Sequence, residues 1–210
     1  MRLHGYFRSS AAWRVRIALN LKGQVVEHAF HHLRKGEQRA PDYLCLNPQG
    51  LLPSLETDDG AVLTQSLAIC EWLDETIPAP ALLPGDALER ARIRAFALAI
   101  ACDIHPVQNL KILARLRELS LSEEVVMGWA RRVIREGLEA CETLIAGGQG
   151  PFCFGAAPTL ADICLIPQVG NARRFNTDLG GLPRISAAVQ ACEAHPAFIA
   201  ASPERQLDAE

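Results

Sequence analysis

Apolar and polar positions in the first third of the chain alternate between strand-like and helix-like patterns. Residues 3–7 and 25–31 have the composition of strands, and the segment between them reads as a helix after which Gly23 is the C′ residue. A short helical piece follows near 42–46, then two strands, 53–56 and 61–64, form a hairpin around Asp58-Asp59-Gly60. Ser66 begins a further helix with an apolar face. The predicted order is β-α-β followed by α-β-β-α.

The rest of the chain carries helical patterns almost throughout. A proline-rich stretch, 77–85, suits neither helix nor strand and reads as an interdomain linker. Beyond it the helical patterns cover 87–119, 122–145, 159–174 and 183–194, and Pro106 is expected to kink or divide the first. Thr159 and Asp162 have the spacing of a capping box, with aspartate in place of glutamate. We therefore expect one domain over 1–78, a linker over 79–86 and a helical domain over 87–210.

Composition narrows the class of protein. With 210 residues, of which 49% are hydrophobic, the chain is able to bury a substantial core. A net charge of −3 argues against a nucleic-acid-binding surface. The N-terminal residues form no long apolar stretch, so we expect neither a signal peptide nor a membrane span. Seven scattered cysteines, an odd number, favour reduced thiols in the cytoplasm over a disulfide framework.

Candidate chemistry is concentrated where Ser9 and Ser10 lie between a predicted strand and a predicted helix. The first N–H groups of a helix have no internal partner and the helix dipole is positive there, so a thiolate or carboxylate is stabilised. Ala11 and Ala12 stand where a thioredoxin-type protein would carry a Cys-x-x-Cys pair, so the sulfur has to come from a ligand. The alternative is that Ser9 is an ordinary N-cap, which is the better interpretation of that serine taken alone.

The segment Ser9-Ser10-Ala11-Ala12-Trp13-Arg14-Val15-Arg16-Ile17-Ala18-Leu19 resembles the Ser-Ser-Cys-x-x-Arg-Val-Arg-Ile-Ala-Leu signature of zeta-class glutathione transferases, with Ala11 in place of the cysteine. The resemblance extends from Leu3 to about Phe198. It implies the glutathione transferase fold, in which an α/β thioredoxin-like domain precedes an all-α helical-bundle domain, and it implies a homodimer. It also implies glutathione as cofactor, with Ser9, helped by Ser10, lowering a thiol pKa that is roughly 8.5 in a free thiol.

The same resemblance assigns glutathione-binding roles to further residues. Gln65 and Ser66 match the pair that binds the γ-glutamyl end, and Leu52-Pro53 matches a cis-proline turn whose unpaired backbone bonds an extended peptide. Gln38, His105 and Asn109 match other positions near the ligand. The alternatives are an N-cap for Ser66, a trans Pro53 that starts an edge strand, a solvated Gln38 and a structural hydrogen-bonding role for His105.

Two arginines are candidates for binding a dianionic substrate. Arg174 matches an arginine that the family uses for the substrate carboxylate, and Arg8 stands next to Ser9. A guanidinium is able to hold a carboxylate through two hydrogen bonds. The alternative for each is a solvated surface arginine. A metal site is not expected, because His31 and His32 are successive strand residues that point to opposite faces and no second pair has ligand spacing.

The function implied is cis-trans isomerisation of maleylacetoacetate, with maleylpyruvate as the close alternative substrate. In that chemistry the thiolate adds to the cis double bond, the bond rotates, and departure of glutathione leaves the trans isomer. A general transferase or dehalogenase is a second class of function, although Ala11 removes the cysteine that would resolve a mixed disulfide. A non-catalytic binding module is a third, and it would be expected to lose Arg8 and Ser9.

Overall fold

The computed structural model describes residues 1–210 and divides into two compact units. One unit comprises Met1–Leu82 together with Ala194–Glu210, and the other comprises Leu83–Glu193. Up to Leu82 the predicted linker is bonded to the first unit, since Lys22 Nζ donates to the Pro80 carbonyl at 2.6 Å and Leu82 N–H donates to Asp74 at 2.7 Å. The expected helical domain over 87–210 differs from this division at its C-terminal end.

The first unit is built on a four-stranded mixed sheet with helices, as the thioredoxin-like prediction requires. Its elements are β1 (Arg2–Gly5), α1 (Ser10–Leu21), β2 (Glu27–Phe30), α2 (Pro41–Leu46), β3 (Ser54–Glu56), β4 (Val62–Thr64) and α3 (Ser66–Thr76). The strand order is β2-β1-β3-β4, in which β1 and β2 are parallel and the other two pairs are antiparallel. The predicted order of elements is confirmed.

Strand lengths are shorter than the sequence pattern predicts. The first strand ends at Gly5 rather than Phe7, and the second begins at Glu27 rather than Val25. The parallel ladder runs from Arg2 opposite Glu27 to Gly5 opposite Phe30, so residues outside that register have no ladder partner. The side chain of Val25 is accordingly 96% exposed, although a β-branched residue is typical of strands.

Helix α1 joins the two parallel strands and packs against α3. Ser9 caps its N-terminus, and Gly23 follows its C-terminus at a φ of +65°, a conformation that favours glycine, as predicted. Four side chains of the resulting core are completely or almost completely enclosed: Leu3, Val15, Ile69 and Leu73. The burial of these apolar side chains fixes α1 and α3 on the sheet and thereby fixes where both helices begin.

The second unit is entirely helical. It contains α4 (Ala87–Leu98), a π-helical turn (Ala99–Ile104), α5 (Leu110–Glu118), α6 (Glu123–Ile145), α7 (Leu160–Arg174) and α8 (Pro183–Glu193). The predicted division of the first helical pattern at Pro106 is confirmed, since helix α5 starts only after Asn109. Twelve of the residues of α7 are buried, which is typical of a helix that runs through a core. None of the helices combines the length and the apolar character needed to cross a membrane.

The C-terminal helix α9 (Pro196–Ala201) belongs to the first unit because it is bonded to α1. Asn20 Nδ2 donates to the Ala197 carbonyl at 2.9 Å, and Arg16 Nε donates to the Ala201 carbonyl at 3.0 Å. Further along, the Asp208 carboxylate accepts from the Phe7 N–H at 2.9 Å. Hydrogen bonds between residues this far apart in sequence leave no periodic pattern. The sequence analysis therefore placed this segment in the helical domain on its helical pattern alone.

Candidate functional site

The start of α1 carries the two serines singled out by the sequence. Ser9 is the N-cap residue, and its Oγ accepts the Ala12 N–H at 3.2 Å. Both serines are buried, and the first turn of α1 contains no acidic residue. A hydroxyl that accepts one hydrogen bond still has its own hydrogen to donate. Capping and ligand binding are therefore compatible in Ser9, and the positive end of α1 is not neutralised by a carboxylate of its own.

Arg8 lies immediately before this helix start and is partly exposed. Its guanidinium carbon lies 5.4 Å from the centroid of the Phe7 ring, within the range of a cation–π contact. No acidic side chain forms an ion pair with it. The contact with Phe7 orients the guanidinium without consuming its hydrogen-bond donors, so Arg8 retains the capacity to bind a carboxylate.

The start of α3 is the second helix N-terminus in the first unit that lacks a carboxylate. Gln65 is the N-cap residue, has a φ of +68° and makes no side-chain capping bond. A positive φ is uncommon outside glycine, and such residues cluster at functional sites. The Gln65 amide nitrogen donates instead to Gln49 Oε1 at 2.9 Å. Ser66 is buried, and its Oγ accepts from Arg14 Nη1 at 3.2 Å.

The peptide bond between Leu52 and Pro53 is cis, as predicted. The backbone hydrogen bonds of the loops and the sheet do not use the N–H or the carbonyl of Leu52. The Leu52 side chain packs with Tyr6, Phe7 and Tyr43 in one buried cluster. The backbone at Leu52 is thus fixed by its side chain while its polar groups stay available, which suits an extended peptide binding beside it.

Gln38 lies in a short 3-10 turn, Glu37–Arg39, and is partly buried. Its side-chain oxygen is enclosed by protein and has no hydrogen-bond partner. Its backbone carbonyl lies so close to Gly50 that a Cβ on that glycine would stand 3.1 Å from the oxygen. The turn therefore packs tightly on the loop before the cis-proline, and an enclosed amide oxygen is at odds with a solvated loop residue.

Three of the predicted site residues lie in the helical unit. His105 follows the π-helical turn, and its N–H donates to the Ile100 carbonyl at 2.9 Å. Asn109 caps α5, with Oδ1 accepting from the Leu110 N–H at 2.7 Å. Arg174 is the last residue of α7 and is exposed. π-helical turns are frequent at functional sites, which adds a structural reason to consider the segment around His105.

The remaining eight predicted residues belong to the first unit, where the segments that carry them contact one another. Leu52 packs against Tyr6 and Phe7, which directly precede Arg8 and Ser9. Gln65 is bonded to the loop that follows α2, the same loop that packs under Gln38. The structure thus assembles one continuous region from the starts of α1 and α3, the cis-proline turn and the 3-10 turn.

The adjacent histidines bind different partners. His31 Nε2 lies 2.9 Å from His4 Nδ1, and His32 Nε2 lies 2.7 Å from a Glu210 carboxylate oxygen. His4 in turn bonds Glu56 through its other nitrogen at 2.6 Å. Burial lowers the pKa of His31, and the neighbouring His4 acts in the same direction. The two side chains diverge, but both histidines follow the end of β2, so the prediction that they are successive strand residues is wrong.

Arg14 is the residue of this region that the sequence interpretation did not single out. It is fully buried in α1, and only one of its three nitrogens has a partner. Its neighbours one turn away on the helix are small or apolar, among them Ala11, Ile17 and Ala18. A charged residue on an apolar helix face is the signal that would have identified it.

Comparison with known proteins agrees with both units. The family model described as "Glutathione S-transferase, N-terminal domain" matches residues 8–76, and "Glutathione S-transferase, C-terminal domain" matches residues 71–197. The chain is 47% identical to the maleylacetoacetate isomerase of Pseudomonas aeruginosa, over 99% of this chain and 98% of the relative.

Solved structures of similar proteins superpose over the whole chain. The holo structure of a maleylpyruvate isomerase, a bacterial glutathione S-transferase of the zeta class, is 45% identical with a TM-score of 0.96, covering 100% of both chains. A maleylacetoacetate isomerase from Methylobacterium extorquens AM1 with bound malonate and glutathione is 39% identical with a TM-score of 0.95, again covering 100% of both. The chain belongs to the glutathione S-transferase family, among its zeta-class members.

Proposed function

We propose that this chain is a glutathione-dependent cis-trans isomerase that converts maleylacetoacetate to fumarylacetoacetate, with maleylpyruvate as the alternative substrate. The observation that carries the proposal is the start of α1, where the Ser9 hydroxyl caps the helix and keeps a hydrogen to donate, and where no acidic residue occupies the first turn. Such a helix start stabilises a thiolate. The relatives that match over almost the full length carry the names of these two isomerases.

The first unit fits glutathione through groups that its own fold leaves unused. The N–H and carbonyl of Leu52 suit the backbone of an extended tripeptide, as a strand added beside the sheet. Ser66 and the start of α3 suit the γ-glutamyl carboxylate, and Gln65 lies at the same helix start. Gln38 lies in the 3-10 turn that packs on the loop before the cis-proline, and we propose that it contributes a binding contact there.

When bound, glutathione supplies a thiolate that adds reversibly to the cis double bond of the maleyl group and so permits rotation about it. Ser9 donates a hydrogen bond that favours the ionised sulfur, and Ser10 places its backbone N–H in the first turn of α1. Both effects lower a thiol pKa that is roughly 8.5 in a free thiol. The serines thereby maintain the reactive ionisation state near neutral pH.

Arg8 and Arg174 are the proposed partners of the substrate carboxylates. Each guanidinium is able to hold a carboxylate through two parallel hydrogen bonds. The malonate bound together with glutathione in the Methylobacterium relative is a dicarboxylate, which supports a substrate of this charge. His105 and Asn109 are proposed to contribute binding contacts from the helical unit. No step requires a metal ligand set.

Reductive dehalogenation is the less favoured activity, because Ala11 provides no thiol to resolve a mixed disulfide. A non-catalytic binding role is disfavoured by the presence of both Arg8 and Ser9.

We further propose a cytoplasmic homodimer. All seven cysteines are free thiols, which suits a reducing compartment, and α4 exposes Leu88 and Leu98, which suits contact with a second copy.

The test is to assay both maleyl substrates with and without glutathione, in wild type and in Ser9→Ala. We expect turnover only with glutathione. Ser9→Ala is expected to keep glutathione affinity within a few fold while raising the pKa of the bound thiol and lowering kcat, because the ends of the tripeptide are held elsewhere. Ser122→Ala is the matched control, since Ser122 caps α6 through the Val125 N–H. Full kcat and unchanged thiolate absorbance in Ser9→Ala would show that Ser9 does not activate the sulfur.

Arg8→Ala and Arg174→Ala separate substrate binding from activation of the thiol. Both are expected to raise KM for the dicarboxylate substrates while leaving the thiolate absorbance of bound glutathione unchanged, as loss of a ground-state contact would. A kcat loss without a change in KM would contradict this role for either arginine.

A further inference from the structure

Helix α1 contains two buried arginines, one with hydrogen-bond partners for all three nitrogens and one with a partner for a single nitrogen. Arg16 donates to three backbone carbonyls, those of Ala201 at 3.0 Å, Phe7 at 3.0 Å and Tyr6 at 3.4 Å. Arg14 is just 2% exposed, and its single hydrogen bond is the one from Nη1 to Ser66 Oγ at 3.2 Å. Its Nε and Nη2 are enclosed and have no partner. No carboxylate forms an ion pair with it.

An enclosed guanidinium without a counter-charge is costly to the folded protein. A buried charge is tolerated when it is paired or fully hydrogen-bonded, and Arg14 is neither. Its donors and its positive charge lie directly behind the first residue of α3. The N-terminus of α3 adds its own positive dipole, and neither a side-chain cap nor an acidic residue in the first turn offsets it.

The bond between Arg14 and Ser66 also fixes how the serine hydroxyl is used. A guanidinium only donates, so Ser66 Oγ is the acceptor in this pair. The hydroxyl hydrogen of Ser66 is therefore left to donate to a third group. An acceptor that carries negative charge satisfies this donor, the free N–H groups of α3 and the buried charge of Arg14 together.

We propose that Arg14 is a positioning residue for the anionic end of the ligand: it holds Ser66 as a donor and supplies the buried positive charge that a carboxylate at the start of α3 neutralises. The inference rests on the proposed function, in which that carboxylate is the α-carboxylate of the γ-glutamyl group. It assigns to Arg14 recognition of one ligand group, and no part in activating the thiol.

The test compares wild type with Arg14→Met, Arg14→Lys and Arg16→Met. For each protein, calorimetry measures the affinity for two peptides, and thermal denaturation measures the unfolding temperature without ligand. The probes are glutathione and 4-aminobutanoyl-Cys-Gly, which differs from glutathione only in lacking the γ-glutamyl α-carboxylate. We expect wild type to prefer glutathione by at least about 10-fold, the scale of one charge-assisted interaction. Arg14→Met is expected to abolish most of this preference by weakening glutathione alone, and Arg14→Lys to retain part of it.

Unfolding temperature separates this role from a structural one. Arg14→Met replaces an unpaired charge by an apolar side chain, so its unfolding temperature without ligand is expected to equal or exceed that of wild type. Arg16→Met leaves the carbonyls of Phe7 and Ala201 without a donor, so it is expected to unfold at a lower temperature while it keeps the preference for glutathione.

The possible negative results distinguish the proposed function from the inference about Arg14. Wild type that binds neither peptide contradicts the proposed function itself. Wild type that prefers glutathione, with Arg14→Met weakening both peptides by the same factor, overturns the inference about Arg14 alone. If Arg14→Met does not fold, Arg14→Lys decides: a preference for glutathione that is reduced but not lost supports the role of Arg14, and equal weakening of both peptides overturns it.

Discussion

Helices α3 and α7 begin in opposite ways, although both are buried at their first residues. The α7 start is closed by its own side chain: Asp162 accepts from the Thr159 N–H at 2.8 Å, from the Thr159 hydroxyl at 3.0 Å and from the Cys153 N–H at 2.8 Å. The α3 start has no capping side chain and no acidic residue in its first turn. Helix α7 neutralises its positive end internally, whereas α3 does not, which is why we propose a ligand anion at the α3 start.

The difference distinguishes a helix start that serves the fold from one for which we propose a ligand-binding role. Burial raises the pKa of Asp162, and the hydrogen bonds from Cys153 and Thr159 act against that rise. The carboxyl group is completely enclosed, and the donors bonded to it belong to Thr159 and to buried cysteines of the same unit. At α3 the corresponding place is taken by the buried Arg14, which adds positive charge where α7 adds negative charge, and by the neutral hydroxyl of Ser66. On our proposal, the same physics of helix ends gives stability at α7 and anion binding at α3.

The comparison is tested most strongly by removing the acid of α7. Asp162→Ala leaves the enclosed donors of Thr159, Cys153 and Cys192 without this acceptor, so we expect it to lower the free energy of unfolding by about 3 kcal/mol. Urea denaturation followed by circular dichroism measures this change. Asp162→Asn keeps one acceptor oxygen and is expected to lose less. A loss below about 1 kcal/mol in Asp162→Ala would show that this helix start is not a major source of stability.

At α3 the corresponding change is expected to act on ligand binding instead. Ser66→Ala is predicted to weaken glutathione binding by about 1–2 kcal/mol, the scale of a hydrogen bond to a charged group. Calorimetry measures the affinity, and urea denaturation measures stability. Thr159→Ala is the matched control at α7, expected to change stability and not affinity. Unchanged affinity in Ser66→Ala would mean that the serine has no role beyond the fold.

The sequence predicted the α7 start more completely than the α3 start. Thr159 and Asp162 are three residues apart, and a capping box is a local motif whose partners lie within one helical turn. The box is present as predicted. At α3 the sequence identified Gln65 and Ser66, but the charge behind them comes from Arg14, which is 52 positions away from Ser66. Contacts of that separation depend on how α1 and α3 pack.

The same reason explains the other differences between expectation and structure. The hydrophobic pattern predicted the order of strands and helices, because periodicity reports which face of an element is buried. It overextended β1 and β2, since the length of both strands depends on the register between them. It assigned the C-terminal residues by helical pattern alone, whereas hydrogen bonds from Asn20 and Arg16 attach them to the first unit.

The smallest effect is expected from giving α3 the acid that α7 already has. Ala68 is the third residue of α3 and is exposed, so Ala68→Glu places a carboxylate where it is able to reach back to the N-cap N–H. We expect the free energy of unfolding without ligand to rise by about 0.5 kcal/mol, because the new charge complements the helix dipole. We expect glutathione affinity to fall by roughly 3-fold to 10-fold, because the ligand carboxylate meets a competing negative charge.

Ala68→Gln is the control for this substitution, since it has the same shape without the charge and is expected to leave glutathione affinity near that of wild type. The affinity difference between the two variants should shrink at high salt, because exposed charges are screened over about 10 Å at 0.1 M ionic strength. An Ala68→Glu protein that binds glutathione as tightly as Ala68→Gln at low salt would mean that the ligand carboxylate does not lie at the start of α3. The contrast between the two helix starts would then concern stability alone, and the anionic end of the ligand would have to be sought at α1.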